Sequence, residues 1–189
     1  MQALASDNMH GSIFIFLKRF IENNYNYSTW VRVLEEEGIN RLNEPYQMNQ
    51  VYPVEELYTI MSAAARLSGI PAPEFHENFG EFLVPDLLLV FKRFVNPVWK
   101  TYDMLLHISS HMHGGIKKEN DQTNPPPLHV TQVGKHLLVI DYYSKRRMAG
   151  FAIGIVQGLA KYFQETDRVQ VSSPTDLLAE RVQIRVEFI

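Results

Sequence analysis

Three histidines fall within seven positions of the stretch LLHISSHMHGG, Leu105 to Gly115. On a helix His107 and His111 share one face, with Asp103 a turn earlier, and a His–His–carboxylate set of this kind could hold a divalent metal. Glu119 is a further carboxylate for the same purpose. His113 is rotated off that face and stands alone before Gly114 and Gly115. A lone histidine near a helix end is more often a surface or hydrogen-bonded core residue than a ligand, so spacing alone leaves the choice open.

The second chemical group is DYYSKRR, residues 141–147. The strand period of two puts Tyr142, Ser144 and Arg146 on one side, spanning about 13 Å at roughly 3.3 Å per residue. A guanidinium offers a planar fork to one carboxylate, and two hydroxyls supply short donors to another. Such a row suits a ligand with two acidic arms, and it is equally what the polar outer face of a strand would contain.

These residues depend on the elements that carry them. Ile13, Phe16, Leu17, Phe20 and Ile21 recur at helical spacing and predict a helix over 12–22. STWVRVLEEEG predicts a second, with Ser28 or Thr29 as cap and Gly38 as stop. A third runs from about Pro53 to Ser68, with Gly69 at its end. A short fourth is expected over Glu74–Val84, and two more over about 87–95 and 98–112, with Pro97 at the break. The histidines sit at the end of the last. After a polar loop containing Pro125, Pro126 and Pro127, LHVTQVGKHLLVIDYYSKRR alternates around Gly134 as a hairpin. A helix over 147–164 and two strands, RVQVSS and ERVQIRVEFI, complete the chain. Helices first, then an antiparallel sheet with one inserted helix, is an α+β fold.

Composition narrows the function classes. The 189 residues are 46% hydrophobic and 21% charged, which fits one cored domain. A net charge of −3 with no run of five or more like charges argues against nucleic acid as a partner. The first eight residues, MQALASDN, lack the pattern of an export signal, and FLVPDLLLVF is too short and interrupted to span a membrane. With no cysteine, disulfides, thiolate zinc sites and covalent haem attachment are excluded, and a reducing, cytoplasmic compartment is expected.

Four stretches together resemble the haem nitric oxide/oxygen binding (H-NOX, or HNOB) family, related to the haem domain of soluble guanylate cyclase. They are MHGSIFIFLKRF from Met9, a histidine near a helix end, the prolines of NPPPL, and YYSKRR followed by GIVQGLAKYF. The resemblance covers residues 9–189, leaving 1–8 as an extension, and implies a single stand-alone domain with haem between its helical part and its sheet.

It further implies non-covalent haem b (iron protoporphyrin IX), with Tyr142, Ser144 and Arg146 on the propionates and Pro126 against the porphyrin. Counting back from Tyr142 through the prolines places the family's iron ligand on His113, with His107 and His111 as alternatives. The distal wall would be Ile13, Leu17, Phe151 and Ile155, all apolar. In O2-binding relatives a tyrosine stands where this chain has Phe151, so the resemblance implies an NO sensor that discriminates against O2 and also takes CO. Such a sensor turns nothing over. It would report, through release of its histidine, to a separate histidine kinase or cyclic-nucleotide enzyme, since the sequence stops at the last strand. A non-haem metalloprotein or enzyme built on Asp103, His107 and His111 is the alternative. Gly150, Gly154 and Gly158 each cost roughly 1 kcal/mol against alanine in a helix. Their ridge would admit either a flat ring or a neighbouring helix.

Overall fold

The computed structural model describes residues 7–107, 128–145 and 147–189. They form two compact units that divide between Ala72 and Pro73.

In the first unit a short strand β1 (Asn8–His10) pairs antiparallel with β2 (Val51–Pro53), placing Asn8 opposite Pro53. Helix α1 (Gly11–Asn24) starts where the His10 ring accepts the Ser12 N–H, and it buries Ile13, Phe16, Leu17, Phe20 and Ile21 as their period predicts. Gly11 is required by close approach: a Cβ there would lie 2.0 Å from the Gln47 carbonyl oxygen. Helix α2 (Tyr27–Glu36) is capped two or three residues earlier than expected, by Asn26, whose side chain accepts the Thr29 N–H at 3.0 Å. Helix α3 (Val54–Ser68) ends on Gly69 at φ 72°, a left-handed stop that favours glycine.

A polar clamp holds the loop between α2 and β2. Arg41 donates to both oxygens of Glu56, at 2.7 and 3.2 Å, and Tyr46 donates to the same carboxylate. The Arg41 guanidinium also lies over the rings of Tyr46 and Tyr52, 4.9 and 4.8 Å from their centres. Phe14 of α1 stacks on Tyr46 at 4.5 Å, so the clamp and the apolar core share a residue. Burial pushes the Glu56 carboxyl up, but the bonds from Arg41 and Tyr46 outweigh it and leave the group below its ordinary value.

The second unit contains α4 (Ala72–Val90), a 3-10 turn (Lys92–Phe94), α5 (Thr101–His107), β3 (Leu128–Val133), β4 (Leu137–Tyr143), α6 (Ala149–Tyr162), β5 (Val169–Ser172) and β6 (Arg181–Phe188). The four strands form one antiparallel sheet in the order β3-β4-β6-β5. The hairpin turns at Gly134, φ 69°, with Val133 opposite Leu137. One face of the sheet buries Leu138, Ile140 and Tyr142 from β4 with Val182, Ile184 and Val186 from β6. These join Leu88 of α4, Met104 and Leu105 of α5, and Ile153 and Val156 of α6 in one apolar cluster. Each large aliphatic side chain so buried contributes about 1.5–3 kcal/mol. Helices and an antiparallel sheet of this kind are the α+β class expected.

One expectation is corrected. The fourth helix and the next are one helix, α4, which runs through Pro85. Pro85 has no N–H to offer one turn back, yet Leu83, Val84 and Leu88 around it are all buried, and that burial holds the helix together. The small β1–β2 sheet was not anticipated, because three-residue strands carry no period.

Candidate functional site

The alternation of β4 aims the candidate donors. Tyr142 is buried on the inner face, Tyr143 is half exposed on the outer, and Ser144, just beyond the strand, is buried again. The Ser144 N–H donates to the Glu180 carbonyl at 2.8 Å, which extends the pairing with the β6 side past the end of β4. Arg147 then turns the chain at φ 51° into α6. Tyr142 and Ser144 thus share a side, as strand geometry requires, and Tyr143 points away from them. Arg146 lies outside the described residues.

Helix α5 presents His107 at its last described turn, half-buried, its ring stacked 4.7 Å from Trp99 at 16°. Asp103 accepts the N–H of Lys100 at 3.3 Å at the start of that helix. His111, His113, Glu119 and Pro126 lie outside the described residues, so neither the Asp103–His107–His111 set nor the His113 assignment can be placed. Among the described residues no group of three His, Asp or Glu side chains converges to hold a metal ion.

The glycine ridge of α6 packs on a helix. A Cβ on Gly150 would stand 2.6 Å from the Pro73 carbonyl oxygen, on Gly154 2.1 Å from that of Glu77, and on Gly158 2.6 Å from a methyl of Val84. Gly80 of α4 answers them, its missing Cβ 2.4 Å from the Phe151 carbonyl oxygen. Of the two uses open to the ridge, backbone contact with α4 is the one found. Phe151 is half-buried beside Phe79, ring centres 5.4 Å apart, and Ile155 packs against the apolar cluster of the second unit. Ile13 and Leu17 are buried residues of the first unit.

Sequence reasoning missed two groups. His76 of α4 is 1% exposed and its Cβ lies against Gly150; burial lowers its pKa to about 4, so the ring is neutral. Its position on the apolar stripe of a predicted helix was the available signal. Glu165 bonds to the start of α5 from 64 positions away, which no local pattern announces. A cavity of about 310 Å³ lies at the far end of α6, lined by Glu81, Gln157, Lys161, Thr166 and Val169, and neither Tyr142 nor Ser144 borders it.

The described residues suit an acidic, iron-bearing ring. Two buried hydroxyls on one side of a strand can donate to carboxylates, and the same unit carries a half-buried imidazole on α5 and an apolar cluster. Imidazole is a common axial ligand of haem iron, and an apolar surround favours the ring.

Comparison with known proteins agrees. The Haem-NO-binding family matches residues 10–171. The fold is similar to an H-NOX protein from S. oneidensis in the Fe(II)NO ligation state, with a TM-score of 0.85, 22% identity, and coverage of 96% of this chain and 99% of that one. An NMR structure of an H-NOX domain from Shewanella oneidensis in the Fe(II)CO state gives 0.81 and 22%, covering 96% and 99%. The unliganded Fe(II) H-NOX protein from K. algicida gives 0.80 and 16%, covering 96% and 97%. No curated protein matches. With the family match spanning most of its length and the fold shared, this chain belongs to the Haem-NO-binding family of haem-based gas-sensor domains.

Proposed function

We propose that the protein is a sensor of nitric oxide that discriminates against O2, with residues 9–189 acting as one haem-binding domain. When bound, haem b supplies a ferrous iron with a coordination position free for a diatomic gas. Tyr142, Ser144 and Arg146 would hold the propionates and Pro126 would contact the ring, and the apolar residues toward the gas would be Ile13, Leu17, Phe151 and Ile155. The observation that carries this reading is the shared burial of Tyr142 and Ser144 with Tyr143 turned out. A strand that used this motif only as a polar outer face would expose Tyr142 and Ser144.

Phe151 carries the selectivity. Bound O2 gains charge and is held by a hydrogen-bond donor, whereas NO binds iron without one, and a phenyl ring offers none. The iron ligand is His113 by family spacing. His107 is the second candidate, favoured by its half-buried place at the end of α5. Release of the histidine would be the signal, a two-state change biased by the gas. The output is a separate histidine kinase or cyclic-nucleotide enzyme, the domain itself performs no catalysis, and CO is a second ligand. Among the described residues no helix is long and apolar enough to cross a membrane, and a cytoplasmic setting completes the proposal.

Spectra of the ferrous protein test it. The expected result is a Soret band that shifts on adding NO and does not move in air. A stable oxygen complex would overturn the selectivity, and a colourless protein expressed with haem precursor would overturn the function. His113→Ala and His107→Ala, compared for haem content, decide the ligand.

A further inference from the structure

The turn that follows α6 reaches back to the start of α5. Gln164 adopts φ 58° and donates its N–H to the Lys161 carbonyl at 3.1 Å, while the Glu165 N–H donates to that of Ala160 at 2.7 Å. Held in this way, the Glu165 carboxylate accepts the N–H of Thr101 at 3.1 Å. Thr101 opens α5 and is fully buried, and its hydroxyl finds no hydrogen-bond partner among the described residues. The residue is therefore fixed through its main chain. The first N–H groups of a helix have no partner within it, and a carboxylate is the acceptor that the helix dipole favours there. The next residue, Tyr102, meets Phe188 of β6 edge to face at 5.0 Å.

A cap supplied by a helix to itself travels with that helix. Glu165 belongs to another element, so its bond opposes movement of α5 against α6 and transmits such movement to the α6–β5 turn. From Thr101 to His107 the helix spans about 10 Å, short enough to move as one piece. We propose that Glu165 is a positioning residue that sets the placement of α5 and couples it to the α6–β5 turn. Its bearing on gas sensing rests on the haem reading above, whereas the tie itself does not.

Amide hydrogen exchange on the whole chain, with Glu165→Ala beside Glu165→Gln, reads the tie with or without haem. In Glu165→Ala the Thr101 amide should exchange about tenfold faster, the scale of losing one helix cap, and the change should extend to Leu105–His107. Glu165→Gln, which keeps an acceptor oxygen, should restore both. In haem-loaded protein the proportion of NO complex that keeps its histidine should differ in Glu165→Ala and return in Glu165→Gln. Unchanged exchange at Thr101 would overturn the tie. Faster exchange confined to the first turn, or an unchanged NO spectrum in haem-loaded protein, would reduce Glu165 to a local cap and overturn the positioning role. A wild-type chain that takes up no haem would defeat the functional reading instead, leaving the exchange result to decide the tie.

Discussion

Gly154→Ala tests whether α4 and α6 meet backbone to backbone. In an exposed helix this substitution stabilises by roughly 1 kcal/mol, because alanine is the better helix former. Here the new methyl would lie 2.1 Å from the Glu77 carbonyl oxygen and 2.8 and 2.9 Å from two more backbone atoms of that residue. None of these is the end of a flexible side chain, so the helices must part by about 1 Å. Overpacking of this kind costs typically 1–3 kcal/mol, and rigid backbone on both sides puts it at or above the top of that range. After subtracting the propensity gain, the net loss is about 2 kcal/mol. For a chain of this size that lowers the melting temperature by roughly 4–8 °C. Urea or thermal unfolding followed by circular dichroism measures it. A variant as stable as wild type, or more so, would refute the close packing of the two helices.

Three other substitutions or conditions bear on separate parts of the structure. His76 is neutral when folded, with a pKa near 4 against 6.5 for a free side chain, so below 6.5 the unfolded chain takes up a proton that the folded one does not. Stability is therefore full above about pH 6.5 and declines as pH falls toward 4, by about 3 kcal/mol at most. His76→Leu should flatten that part of the profile in urea melts at stepped pH. Glu56→Ala strands Arg41 and Tyr46 in a clamp where Glu56 is 17% and Arg41 21% exposed, and should cost about 2 kcal/mol by the same melts. Phe151→Tyr in the haem-loaded protein should yield an oxygen complex in air that the parent lacks, read by absorbance.

Much of this was legible in the sequence because the governing signals are local. The apolar period of α1, the stop at Gly69 and the hairpin at Gly134 all depend on neighbours within a turn or two. That Tyr142 and Ser144 share a side follows from strand period alone, whereas only the fold shows that side to be the buried one. The glycine ridge was visible, but its partner was not. Gly80 lies some seventy residues from Gly150, and only the folded chain brings α4 to α6. That α4 continues through Pro85 was not legible, because the burial that overrides the proline's local cost depends on distant partners. The Arg41–Glu56 clamp and the Glu165–Thr101 bond were unreadable for the same reason. Of the expected site residues, Arg146, His113 and Pro126 fall outside the described residues, while Tyr142, Ser144, Phe151 and Ile155 belong to the second unit and Ile13 and Leu17 to the first.

The most direct measurement is haem binding by the purified chain beside a triple variant, Tyr142→Phe, Ser144→Ala and Arg146→Leu. Titrating each with hemin and following the Soret band, the parent should saturate at one haem per chain and the variant should bind markedly more weakly while remaining folded. Equal affinity in the two proteins, or no binding by the parent, would contradict the account.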